Sequence, residues 1–190
     1  MKAQSRVVAF SDGRLGSTAP SRMLVGVIYR GNLLLEGVLK EKVSWNGSDS
    51  TEALIRCLAK SRYKPQVRLV LLDSPYFSGL NVVDLDEAHH DLGIPVAIVR
   101  SRPINIARLN MLFKSRLGKC SKPLSSFGNG FKVKIRKTRL YVYCKGLSRS
   151  ELIRTLHHCA DEVGTVTALK SARIIAAAFN RYLSATKRLN

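Results

Sequence analysis

A mixed α/β sheet flanked by helices is the fold class that this 190-residue sequence predicts. Three observations predict it. Apolar runs of strand length open the chain and flank a hairpin dipeptide. Segments with helical spacing then alternate with continuous apolar runs, and two further helical stretches close the chain. A chain of this length with 45% hydrophobic residues can bury a substantial single core, and its composition is not that of a disordered segment.

In order, Arg6 to Ser11 (RVVAFS) reads as a short buried strand that runs into Asp12-Gly13. Met23 to Arg30 and Leu33 to Val43 are rich in Leu, Val and Ile and flank Gly31-Asn32, a two-residue hairpin signal. Ser50 to Arg62 changes to helical spacing, with Leu54, Ile55 and Leu58 on one face. Asp49 stands just ahead and Glu52 three residues on, close to a capping-box pattern. Arg68 to Leu72 is a continuous apolar strand ending at Asp73, Val83 to Leu92 a short helix stopped by Gly93, and Pro95 to Arg100 another apolar strand. Three strands, a helix, a strand, a helix and a strand fit the ribonuclease H-like architecture, in which an antiparallel hairpin unit joins parallel αβ units.

Beyond Arg100, the spacing predicts a basic helix over Asn105 to Leu117, a loop over Ser125 to Gly130 and a hairpin over Phe131 to Lys145. With Lys137-Thr138 as the turn, Arg136 opposes Arg139, Lys134 opposes Tyr141 and Lys132 opposes Tyr143. Those six then share one face, and Val133, Ile135, Leu140 and Val142 the other. Helices follow at Ser148 to Asp161 and Thr167 to Leu183, the second with Leu169, Ala172, Ile175, Ala176, Phe179 and Leu183 as an apolar stripe. The expected organisation is a core over 1–105, a strongly basic helix and hairpin over 106–150, and helices over 151–190 that complete the same domain.

Charge is distributed very unevenly. Residues 1–99 carry 12 basic and 10 acidic side chains; residues 100–150 carry 14 basic and none acidic; the last forty carry 6 and 3. Solvated surfaces normally mix both signs, so a fifty-residue window without a carboxylate points to a polyanionic partner. Nucleic acid, DNA or RNA, is the expected partner. Membrane lipid fits less well, because the window lacks one clean amphipathic helix. In the hairpin, cations interleaved with tyrosines suit a phosphate backbone and stacked bases, or equally a solvated face whose tyrosines cover the edge of the core.

Cys57, Cys120, Cys144 and Cys159 show neither CxxC pairing nor zinc spacing and read as reduced thiols of an intracellular protein. His157-His158 beside Cys159 has no further ligands nearby in sequence, so a structural role is expected. No N-terminal block resembles a signal peptide and no apolar run is long enough to cross a bilayer, which makes the cytoplasm the expected location.

The segments SWNGSDSTEAL, SRYKPQVRLVLLDSPYFSGLNVVDL and GIPVAIVR resemble signature segments of a mostly archaeal family related to endonuclease V, some members of which are called endonuclease dU. The resemblance covers roughly residues 5–105, and GLNVVDL after a strand-end Asp is its most specific part. It implies a ribonuclease H-like, endonuclease V-like fold and a cluster of carboxylates holding Mg²⁺ or Mn²⁺. Phosphodiester cleavage needs an activated water and stabilised charge on the leaving oxygen, and a hard cation held by carboxylates supplies both. Asp12, Asp49 and Asp73, at the ends of core elements, are the expected ligands, and Arg100 the group facing a scissile phosphate.

Two departures stand out. Ser11 takes the position where the resemblance implies the first acidic ligand, and serine does not replace the charge of a carboxylate. Ser74-Pro75 follow Asp73 where glycine is typical. Asp12 is then either a substitute ligand or an ordinary turn residue, since successive strand residues point to opposite faces. Two functions remain open. One is a metal-dependent endonuclease acting on deaminated, deoxyuridine-containing DNA or on RNA. The other is a non-catalytic family member that binds RNA, DNA or a ribonucleoprotein, with Lys132, Lys134, Arg136, Arg139, Tyr141 and Tyr143 as its contact face. A structural subunit contacting an acidic protein is a third, weaker alternative.

Overall fold

The computed structural model describes residues 5–13, 20–117 and 126–186. Cys120, and Ser125 at the start of the expected loop, lie outside the described residues. Nine strands and five α-helices occur among them. β1 (Arg6–Ser11), β2 (Ser21–Arg30) and β3 (Leu34–Ser44) lead into α1 (Ser50–Ala59) and β4 (Val67–Leu72). A two-residue ribbon, β5 (Tyr76–Phe77) with β6 (Asn81–Val82), precedes α2 (Leu85–Leu92), β7 (Val96–Arg100) and α3 (Ile106–Leu117). The hairpin β8 (Phe131–Ile135) and β9 (Thr138–Lys145), then α4 (Arg149–Cys159) and α5 (Thr167–Thr186), complete the chain.

Seven strands form one sheet in the order β3-β2-β1-β4-β7-β9-β8. β1, β4 and β7 run parallel, while β2, β3, β9 and β8 add antiparallel pairs on either side. Helices cover both faces. Val8, Phe10, Leu72 and Ile98 pack with α1, α2 and α3, whereas Val7, Ala9, Leu71 and Val99 pack with α4 and α5. This is why β1, β4 and β7 are continuous apolar runs: both faces of a parallel central strand are buried. The basic segment 106–150 is no separate unit, because β9 pairs directly with β7 and extends the same sheet.

Local signals explain most boundaries. Asp84 caps α2 by accepting from the backbone N–H groups of Asp86 and Glu87, and Gly93 ends it at a positive φ of 64°. Ser148 and Glu151 form a reciprocal capping box on α4. α1 ends at Ala59 rather than at Arg62, and a 3₁₀ turn at Lys64–Gln66 leads into β4. The ribbon β5/β6 has no counterpart in the sequence pattern, since two-residue strands leave no periodicity.

Candidate functional site at the ends of the central strands

β1 and β4 are parallel neighbours in the register Phe10↔Leu72, which sets the next residues, Ser11 and Asp73, side by side. By alternation both project toward α5, on the face of Val7, Ala9, Leu69 and Leu71. The Ser11 hydroxyl donates to Asp73 Oδ2 at 2.8 Å and accepts from the Gly13 N–H at 3.1 Å. Arg173, on the second turn of α5, donates from Nε to the same Asp73 oxygen at 3.2 Å. The Asp73 side chain is fully buried, whereas that of Arg173 is 52% exposed. The carboxylate is thus held between a hydroxyl and a guanidinium.

Gly13 lets the helix come this close. Its φ is +75°, and a Cβ there would run into the α5 backbone at Ala177. Asn180 fastens the same helix: its amide donates to the carbonyls of Asp12 at 3.1 Å and Met23 at 2.9 Å, and its oxygen accepts from Met23 N–H at 2.9 Å. Asp-Gly after β1 is therefore more than a turn, since it is the seat on which α5 rests.

Asp12 points the other way. Its carboxylate accepts from Ser78 N–H at 2.8 Å and lies 3.7 Å from Nη1 of Arg22, itself buried. Asp49 is occupied elsewhere again. It stands at the start of α1, on the sheet face opposite α5, and accepts from the Ser44 backbone and hydroxyl and from the Asn81 amide. Burial pushes its carboxyl up, but the hydrogen bonds from Asn81 and Ser44 outweigh this and hold it below its ordinary value. Asp49 makes no side-chain cap on α1, contrary to the capping-box expectation, because its oxygens serve the 44–49 turn.

The expected convergence of Asp12, Asp49 and Asp73 is corrected accordingly. Among the described residues, no three His, Cys, Asp or Glu side chains come together in a way that could hold a metal ion. Among the described residues, the partners shown for the Asp73 carboxylate are a hydroxyl and a guanidinium, a combination that does not fit Mg²⁺ or Mn²⁺. Arg100 ends β7 and lines a cleft of about 690 Å³ that also includes Asp73, Arg102, Lys170 and Arg173. His157 and His158 belong to no metal cluster among the described residues.

The basic hairpin keeps its two faces but changes register. The turn is Arg136-Lys137, with Arg136 at φ 52°, so Lys134 opposes Arg139 and Lys132 opposes Tyr141. Lys132, Lys134, Arg136 and Arg139 are exposed and Tyr141 is half-buried, with the Lys132 ammonium 5.9 Å from its ring centre. Tyr143 is corrected as a contact residue. It is buried, stacks edge-on against Phe127 and accepts the Ile104 N–H at 2.8 Å through its hydroxyl. Burial raises the thiols of Cys57 and Cys159 to about 12 and Cys144 to about 11, so none of these three is a reactive thiolate.

Arg173, Asn180 and Arg22 did not stand out in the sequence. One signal was available for Asn180, a polar residue falling on the buried stripe of Leu169, Ala172 and Ala176. Arg173 stands next to that stripe, where a cation normally reads as solvated.

Parallel β1, β4 and β7 with an antiparallel β2/β3 unit, helices on both faces and polar residues at the strand ends define a ribonuclease H-like domain of the endonuclease V type. The human endonuclease V catalytic domain superposes over 97% of this chain and 85% of its own, with a TM-score of 0.63 at 14% identity. Ciona intestinalis endonuclease V, in complex with a 23mer DNA containing an inosine followed by a ribo-adenosine, gives 0.60 at 12% identity over 94% and 86%. A protein of unknown function from Archaeoglobus fulgidus gives 0.81 at 19% identity over 92% and 98%.

The chain belongs to the Endonuclease dU family, which matches residues 3–180. A UPF0215 protein of Methanothermobacter thermautotrophicus is 27% identical over 93% of the chain and 88% of its own length. One from Methanopyrus kandleri is 33% identical over 54% of the chain. The chain spans about half the length of that relative, 53%.

Proposed function

We propose that this protein binds nucleic acid through its basic surfaces and is a non-catalytic member of its family with respect to metal-dependent cleavage. The observation that carries this is the set Ser11–Asp73–Arg173. Where two-carboxylate metal chemistry needs a second acid beside Asp73, the chain supplies a neutral hydroxyl and a guanidinium. The two remaining candidate acids, Asp12 and Asp49, are engaged with Ser78 and Arg22 and with Ser44 and Asn81. Binding is supported by the acid-free window 100–150 and by the exposed hairpin cations Lys132, Lys134, Arg136 and Arg139. Membership of the Endonuclease dU family favours a second reading, Mg²⁺-dependent cleavage of deoxyuridine-containing DNA, which requires Asp12 or Asp49 to reach Asp73.

The test is paired. Fluorescence anisotropy with labelled DNA and RNA should show tight, weakly sequence-selective binding. On duplex DNA the slope of log affinity against log salt steepens by about 0.9 per phosphate neutralised. Replacing Lys132, Lys134, Arg136 and Arg139 together by Glu should remove most of the hairpin's contribution and leave the circular dichroism spectrum unchanged. Incubation with deoxyuridine, deoxyinosine and RNA substrates in Mg²⁺ or Mn²⁺ should leave them intact. Robust wild-type cleavage that disappears in Asp73→Asn or Asp12→Asn would establish the second reading.

A further inference from the structure

The hairpin is not the only cationic surface. On the opposite face of the sheet, the cleft between the end of β7, the start of β9 and the first turns of α5 is lined by Arg100, Arg102, Lys170 and Arg173, with Thr138 at its wall and Asp73 its single acid among the described residues. Arg102 and Lys170 are exposed and have no acidic partner among the described residues. The N-terminal end of α5 lies at this cleft with no acidic residue in its first turn, so the positive end of its dipole adds to the field. Arg102 and Lys170 therefore place positive charge beside the Asp73-paired Arg173 in one concave site, and a phosphate offers several acceptors to such cations at once.

We infer that this cleft is a metal-independent phosphate-binding site, in which Arg173, oriented by Asp73 and Ser11, acts with Arg102 and Lys170 to hold a backbone phosphate of a single-stranded nucleic acid. In a metal-dependent site a cation bound by carboxylates neutralises the phosphate. Here the same job falls to side chains, and Asp73 becomes the group that orients one of them. A cleft of about 690 Å³ has room for a phosphate with its sugar. The inference rests on nucleic-acid binding as proposed above, and adds a second, separately located contact.

The experiment uses the full-length chain and a fluorescein-labelled single-stranded 20mer, of DNA and of RNA, titrated with either Mg²⁺ or EDTA. The expected result is an affinity in EDTA no weaker than that in Mg²⁺. Arg102→Gln with Lys170→Gln should weaken binding roughly tenfold and make the salt slope shallower by up to about 0.7, the value for one phosphate on a single strand. Those residues are exposed, so the thermal midpoint should hold. As a reference, Lys132→Gln with Lys134→Gln on the other face should lose affinity independently, and the two effects should add. Wild-type affinity and slope in the cleft variant, with loss confined to the hairpin variant, would overturn the cleft site and leave nucleic-acid binding standing. Binding that collapses in EDTA would overturn its metal independence. Absence of wild-type binding to either oligonucleotide would refute nucleic-acid binding itself.

Discussion

Ser11→Asp places a second carboxylate against Asp73 in a site from which water is excluded, both residues being fully buried. The serine hydroxyl now lies 2.8 Å from Asp73 Oδ2. Two carboxylates sharing that geometry have charge centres about 4 Å apart, which at an effective dielectric constant of 20 is about 4 kcal/mol of repulsion. Protonation sets an independent ceiling. Holding one carboxyl neutral at pH 7, about three units above its ordinary pKa, costs about 4 kcal/mol. The two figures agree, and Arg173 reduces them by partly neutralising the pair. Stability loss of roughly 3 kcal/mol at pH 7 in EDTA is therefore expected. The sign with pH follows from linkage. The shared proton raises a folded-state pKa above its unfolded value, so the penalty is full above that raised pKa. It fades as pH falls, and is gone below about pH 4. Mn²⁺ in millimolar excess should also return part of the loss, because the variant presents two adjacent carboxylates. Urea unfolding followed by circular dichroism, at several pH values and with EDTA or Mn²⁺, measures all three effects. A variant as stable as wild type at pH 7 in EDTA would refute the reasoning, by showing that residue 11 and Asp73 do not share the buried site.

Gly13→Ala forces a side chain into a left-handed backbone position and against α5, so a loss of about 3 kcal/mol in urea unfolding is expected. Asn180→Ala strands the Met23 N–H and the carbonyls of Asp12 and Met23, and should cost about 3 kcal/mol by the same assay. Asp49→Asn removes a carboxyl whose folded pKa is depressed. Its stabilising contribution is present above the ordinary Asp pKa and is lost as pH falls through the folded value, so the wild-type advantage in thermal midpoint should shrink between about pH 5 and pH 3. Cys57 and Cys159 should resist alkylation in the native protein and react on unfolding, as mapped by mass spectrometry, because burial keeps both thiols protonated.

Sequence alone was enough wherever the determining contacts are local or repeat along the chain. Burial on both faces made β4 and β7 legible as unbroken apolar runs. Gly31-Asn32 marked the β2/β3 connection and Gly93 the end of α2, whereas the Ser148/Glu151 capping box of α4 emerged only in the structure. The inward face of the β8/β9 hairpin, Val133, Ile135, Leu140 and Val142, also followed from alternation, although its turn lies one residue earlier than expected. Arg136-Lys137 carries no Gly or Asn to announce a positive φ, so the local code was silent there. What the chemistry depends on was decided only in three dimensions. Ser11, Asp73 and Arg173 meet across separations of 62 and 100 residues. No spacing in the chain records that α5 lies down on Gly13, or that its second turn presents a guanidinium to a strand-end carboxylate. Asp12, Asp49 and Asp73 look alike in sequence because each ends or precedes a core element. They differ in the fold because alternation turns Asp12 away from Asp73, and because Asp49 hangs on a turn over the other face. Local pattern encodes which residues are buried, whereas the partner that meets a buried charge is set by how the layers pack.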